Sequence, residues 1–100
     1  MENPQSSAPG QAVSEPGILL YGTLWCGATQ RVRRFLDRLN LSYRFCNIDV
    51  DKESANQVRW WTGGYTSHPT LSINGEILIE PSPEELTEAL TRQGLIQTKA

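Results

Sequence analysis

The chain reads as a single α/β domain with the element order β-α-β-α-β-β-α, and three observations support that reading. A short apolar run, Ile18-Leu19-Leu20-Tyr21, passes within a few residues into a segment of helical period. Two further apolar runs flank Asn74-Gly75, the strongest short hairpin signal a sequence offers. A complete helix start, Ser82-Pro83-Glu84-Glu85, then follows the hairpin.

Each element has its own justification. Ile18 to Tyr21 is a strand buried on both faces, ended by Gly22-Thr23. After Cys26-Gly27, the apolar residues Ala28, Val32, Phe35, Leu36 and Leu39 recur at spacings of three and four, with Arg31, Arg33, Arg34 and Arg38 on the other face. That pattern predicts an amphipathic helix over 27–39. Tyr43 to Val50 reads as the second strand, with Phe45 out of phase with Cys46 and Ile48. Lys52 to Trp61 reads as a helix stopped by Thr62-Gly63-Gly64. Thr70–Ile73 and Glu76–Ile79 form the hairpin. The last helix has Ser82 as N-cap, Pro83 in its first turn, Glu85 closing a capping box, and Leu86, Ala89 and Leu90 as its apolar stripe. Gly94 ends it. One right-handed crossover and one hairpin connect the strands.

Length and composition narrow the functional classes. One hundred residues hold one core and no second domain. Eleven acids against nine bases leave no general cationic surface, so nucleic acid is not expected as a partner. No apolar run is long enough to span a membrane. Two cysteines and the single histidine, His68, are too few and too scattered for a structural metal site. Residues 1–16 hold Pro4, Pro9, Pro16 and three serines, with Val13 as the strong hydrophobe, and read as a disordered tail before a domain at 17–97. They lack the basic start and apolar stretch of a secretory signal, so a cytoplasmic location with reduced thiols is expected.

The chemistry concentrates where the first strand meets the first helix. Trp25-Cys26-Gly27-Ala28-Thr29 sets a thiol at a helix N-terminus, where unpaired N–H groups and the helix dipole favour thiolate. Thiolate is the attacking species in disulfide exchange. Ser67-His68-Pro69-Thr70 lies where a loop enters a strand, and its proline either begins the strand or forms a cis bond in a turn.

Taken together, Tyr21-Gly22-Thr23-Leu24-Trp25-Cys26, Ile48-Asp49, Thr62-Gly63-Gly64 and His68-Pro69-Thr70 before Asn74-Gly75 resemble the glutaredoxin branch of the thioredoxin superfamily over about residues 17–97. Within that branch, the Trp-Cys-Gly opening, the Gly-Gly loop and Glu80-Pro81-Ser82 look most like the actinobacterial mycoredoxins. The resemblance implies a four-stranded mixed sheet with helices on both faces, and a cis Pro69 facing Cys26. It implies that Cys26 attacks mixed disulfides between client proteins and a small thiol, glutathione or mycothiol, which is a co-substrate rather than a tightly bound cofactor. Thiolate support falls to Gly27 and Thr29, and substrate contacts to Thr23, Trp25, Ser67, His68, Pro69 and Ser82. The His68 main chain would pair with substrate as an added strand.

The departures shape the expected mechanism. Dithiol relatives have a second cysteine where this chain has Thr29, so an internal disulfide at the motif is impossible and an external thiol must resolve the intermediate. Thr29 either donates to the Cys26 sulfur or satisfies a backbone group. Thr23 replaces a lysine that often holds a glutathione carboxylate, and Thr66 replaces an arginine. Cys46 reads as a core thiol in the second strand. The side chain of His68 reads either as positive charge or acid near the thiolate, or as a half-exposed loop residue. On the second helix Trp61 is the core candidate and Trp60 the surface one, because adjacent helical positions point about 100° apart. The arginine cluster at 31–38 reads as a solvated face that would also attract an acidic client.

Three functions follow. The first is a monomeric monothiol thiol-disulfide oxidoreductase. The second is an iron–sulfur carrier in which two chains each contribute Cys26 alongside two small thiols. The third is a non-catalytic thioredoxin-like binding domain.

Overall fold

A computed structural model describes residues 17–97. The tail expected over 1–16 lies outside the described residues.

The elements are β1 (Ile18–Gly22), α1 (Gly27–Arg38), β2 (Arg44–Asn47), α2 (Lys52–Thr62), β3 (Thr70–Ile73), β4 (Glu76–Ile79) and α3 (Pro83–Arg92). Their order is the expected one. The sheet runs β2-β1-β3-β4, with β1 parallel to β2 and antiparallel to β3, and β3 antiparallel to β4. It is thus a mixed four-stranded sheet, built from one crossover through α1 and one hairpin.

Strand alternation divides the side chains between two layers. Ile18 and Leu20 stand opposite Ile73 and Leu71, and all four join Leu36 of α1 and Leu86, Ala89 and Leu90 of α3 in the main core. Full burial of each large aliphatic side chain contributes about 1.5–3 kcal/mol. Tyr21 points to the opposite face, where its ring meets Trp61 of α2 edge-to-face at 5.2 Å. Helices therefore cover both faces: α1 and α3 on one, α2 on the other. Trp60, one residue earlier, is 81% exposed, as the angular offset along a helix requires.

The strand ends are set by local chemistry. β2 is shorter than the Tyr43–Val50 reading because Asn47 closes a turn. Its carbonyl accepts from the N–H groups of Val50 and Asp51, and its side-chain oxygen accepts from the Asp49 N–H at 2.9 Å. The hairpin turn places Asn74 at φ 51° and Gly75 at φ 95°, the paired positive values that a two-residue type I′ turn demands and that Asn-Gly tolerates. At α3 the capping box is complete. The Ser82 hydroxyl accepts from the Glu85 N–H at 3.1 Å, and the Glu85 carboxylate accepts from the Ser82 N–H at 2.8 Å. No helix among the described residues is long and apolar enough to cross a membrane.

Candidate active site

The interior strand β1 ends at Gly22, and the loop 23–26 turns the chain into α1. Cys26 is the N-cap of α1, with extended φ/ψ of −84° and 120°. At an N-cap the side-chain atom faces the N–H groups of the second and third helical residues. Here those residues are Ala28 and Thr29, and sulfur stands where a capping oxygen would. The neutral thiol closes no cap bond, and the first turn of α1 holds no acidic residue to oppose a negative charge.

The result is a shifted thiol. Burial raises the Cys26 pKa, but this is outweighed by hydrogen bonds from the Thr29 side chain and N–H, then from the His68 side chain and the Ala28 N–H, which together lower it from 9.0 to about 7. At pH 7 a shift of that size raises the thiolate fraction about 50-fold. The accompanying loss of intrinsic nucleophilicity is about 6- to 10-fold. The increase in thiolate therefore outweighs the loss of nucleophilicity, and the same shift makes Cys26 a better leaving group.

Thr29 is fully buried on α1, and its Oγ1 has no hydrogen-bond partner of ordinary geometry among the described residues. A buried hydroxyl without a partner costs about 1–3 kcal/mol. It is retained here beside the one atom whose ionised form uses it. Gly22 of β1 packs directly on this side chain: a Cβ at Gly22 would stand 2.6 Å from Thr29 Oγ1 and Cγ2. Thr29→Val should shift the midpoint of pH-dependent iodoacetamide alkylation of Cys26 upward from about 7 by on the order of one unit. The thermal midpoint of the protein should stay equal or rise, because the unpartnered hydroxyl is gone. An unmoved alkylation midpoint would remove the Thr29 hydroxyl from the site and leave its N–H.

The opposing wall is the loop before β3. The His68–Pro69 peptide is cis and Pro69 is buried. His68 is half-buried, and its buried Nδ1 has no hydrogen-bond partner of ordinary geometry among the described residues. The imidazole packs edge-to-face on Trp25 at 5.2 Å. Trp25 is itself 69% exposed, and its indole Nε1 donates to Asp49 Oδ2 at 2.7 Å, so the rim residue is fixed at both ends. Gln30 steadies the loop beneath by donating from Nε2 to the Leu24 carbonyl at 3.0 Å.

Cys26, Thr29, Trp25, His68 and Pro69 thus converge. Four other expected contributors are placed differently. Thr23 is only 1% exposed, so its hydroxyl is withdrawn from any ligand at the surface. The side chain turns inward where β1 ends. Gly27 is the first helical residue, and the N–H groups that stabilise the sulfur belong to Ala28 and Thr29 instead. The Ser67 carbonyl accepts from Thr70 Oγ1 at 3.0 Å and shapes the loop. Ser82 is committed to the capping box, at the approach to α3.

Cys46 is half-buried rather than buried, because β2 is an edge strand. It pairs in register with Tyr21 and shares its α2-facing side. No disulfide joins it to Cys26. The sequence motifs include Ala28, Asp49 and Gly22, but give no sign of the Ala28 N–H on the sulfur, the Asp49 bond to Trp25 or the packing of Gly22 on Thr29. The signal available for Asp49 was an exposed tryptophan whose indole N–H needs an acceptor.

Comparison with known proteins agrees with this geometry. The family model described as Glutaredoxin matches residues 18–78. A curated Mycobacterium tuberculosis H37Rv protein, named as a candidate glutaredoxin, is 28% identical over 76 residues, covering 75% of this chain and 90% of the relative. Among solved structures, the thioredoxin-like protein BC3987 superposes with a TM-score of 0.64 at 27% identity, over 71% of this chain and 96% of that one. A buckwheat glutaredoxin–glutathione complex superposes with a TM-score of 0.61 at 21% identity, over 82% and 83% of the two chains. At that identity the buckwheat likeness concerns the fold.

Proposed function

Given that the chain belongs to the glutaredoxin family, we propose that it is a monothiol thiol-disulfide oxidoreductase acting on mixed disulfides between client proteins and a small thiol. The observation that supports this most directly is the Cys26 thiol at the N-cap of α1, lowered to about 7, with Thr29 occupying the position of a second thiol.

The cycle has two exchanges. The Cys26 thiolate attacks the small-thiol sulfur of the client mixed disulfide. A Cys26–small-thiol disulfide forms, and the client sulfur leaves as thiolate and takes a proton from water. A second small thiol, as thiolate, then attacks the small-thiol sulfur held on Cys26. The small-thiol disulfide departs and the Cys26 thiolate returns. In the net exchange the client regains its thiol, and the small thiol it carried leaves joined to one free small thiol as their disulfide. In the first exchange the Thr29 and Ala28 N–H groups and the Thr29 and His68 side chains hold the attacking charge. In the second they hold the same charge as it returns to the leaving sulfur.

Glutathione and mycothiol both fit the role of co-substrate, and no tightly bound cofactor is required. The His68 main-chain N–H and C=O take no backbone partner among the described residues, which suits pairing with an extended substrate segment. Each cycle uses one chain, so a monomer in a reducing cytoplasm suffices. Steady-state kinetics with a glutathionylated peptide and free glutathione test the proposal. Parallel double-reciprocal lines, the ping-pong pattern of a covalent intermediate, are expected. Intersecting lines would contradict the two-exchange cycle.

A further inference from the structure

The reactive sulfur does not stand on an isolated surface. A groove of about 690 Å³ runs from the active-site rim, at Ala28, His68 and Pro69, along α1 and towards the start of α3. Its apolar lining includes Val32, Phe35 and Leu86. Arg31, Arg34 and Arg38 also line it, and Glu80 is the acid in the lining. These three arginines are exposed and make no ion pair with a described residue. By contrast, Arg33 on the same helix donates to the Tyr43 hydroxyl and stacks over Phe45, and Arg92 pairs with Glu76. A formal charge of −2 on the whole chain makes this local excess of positive charge run against the overall balance.

We propose that this groove docks an acidic segment of the client polypeptide next to its modified cysteine, so that the protein selects clients by negative charge close to the disulfide. The proposal rests on the oxidoreductase reading above and specifies its substrate class. A polypeptide fits better than a lone small anion, because the groove offers an apolar floor along its length as well as three separated cations. Geometry sets the spacing. At about 1.5 Å per residue, Arg31 lies about 7 Å and Arg38 about 18 Å along α1 from Cys26. An extended client advancing about 3.3 Å per residue reaches those positions about two to five residues from its own cysteine. Rim charges of this kind act chiefly on encounter and register, and they are screened by salt.

The test compares three glutathionylated decapeptides with the full chain. One carries Asp or Glu two to five residues before the cysteine, one carries them after it, and one is neutral. On one side of the cysteine, acidic residues should raise kcat/KM about tenfold over the neutral peptide at low salt, as rim charges do. That ratio should collapse towards one at about 0.5 M salt. In the triple variant Arg31→Gln, Arg34→Gln, Arg38→Gln it should collapse at low salt as well. Equal kcat/KM for all three peptides, or a ratio that survives the triple variant, would overturn the proposal while turnover of the neutral peptide upheld the oxidoreductase reading. A triple variant whose KM rises for free glutathione, with the peptide ratio unchanged, would assign the arginines to the small thiol and also overturn it. No turnover of any peptide would end both.

Discussion

Cys26→Ser is expected to lower the reduction of a glutathionylated peptide by at least about 10³-fold, the scale on which loss of a nucleophile acts. Cys46→Ser is expected to leave it close to the parent rate. The asymmetry follows from placement rather than from residue type. Cys26 is an N-cap whose sulfur faces two helix N–H groups and the Thr29 and His68 side chains, and its pKa falls to about 7. A serine hydroxyl in that place does not ionise near neutrality and cannot form the mixed disulfide. Cys46 sits mid-strand at the sheet edge, beside Tyr21. The measurement is the rate of glutathione release from the peptide under identical thiol supply. Comparable losses in both variants would point to a two-cysteine cycle and contradict the proposed one.

The second large effect lies away from the sulfur. Gly22→Ala should destabilise the domain and raise the pH at which Cys26 ionises. The added Cβ would stand 2.6 Å from two atoms of Thr29 and 3.2 Å from a third. Thr29 is β-branched, fully buried and in a helix, so it has little rotameric freedom with which to retreat. Relief must come from a shift of β1 against the first turn of α1, and overpacking of this kind costs about 1–3 kcal/mol. In a domain of this size each 1 kcal/mol lowers Tm by roughly 4–8 °C. The same shift moves the Thr29 hydroxyl and N–H off the sulfur, so the alkylation midpoint rises from about 7. Thermal unfolding and pH-dependent alkylation read the two consequences separately. Thr29→Val serves as the contrast, since it should raise the midpoint without lowering Tm. A Gly22→Ala protein with parental Tm and midpoint would show that the close packing is not what holds Thr29 in place.

Most of the fold was legible because its signals are local. The Asn74-Gly75 turn, the Ser82–Glu85 capping box and the three-and-four spacing along 27–39 each constrain a few neighbouring residues, and all three appear as the pattern requires. The length of β2 was not legible. Apolar alternation continues through Ile48 and Val50, while the turn that ends the strand depends on Asn47 accepting three N–H groups at once.

The site divides in the same way. Cys26 and the Pro69 loop stand out by residue type and position. The direction in which Thr23 points is a consequence of how β1 leaves the sheet, and no neighbouring residue announces it. The Trp25–Asp49 bond joins residues 24 apart in sequence, and the register that places Gly22 beside Asn47 brings them together. The donors on the sulfur depend on Cys26 being the N-cap itself, a boundary that the helical pattern does not locate to one residue. That boundary moves the supporting N–H groups from Gly27 to Ala28 and Thr29.

A one-cysteine cycle at Cys26 is open to mass spectrometry of the protein after brief incubation with oxidised glutathione at pH 7. One adduct per chain is expected, located on Cys26 by peptide mapping and released by a second equivalent of free thiol, with both cysteines then recovered as thiols. A Cys26–Cys46 disulfide after release, or adducts distributed equally between the two cysteines, would contradict it.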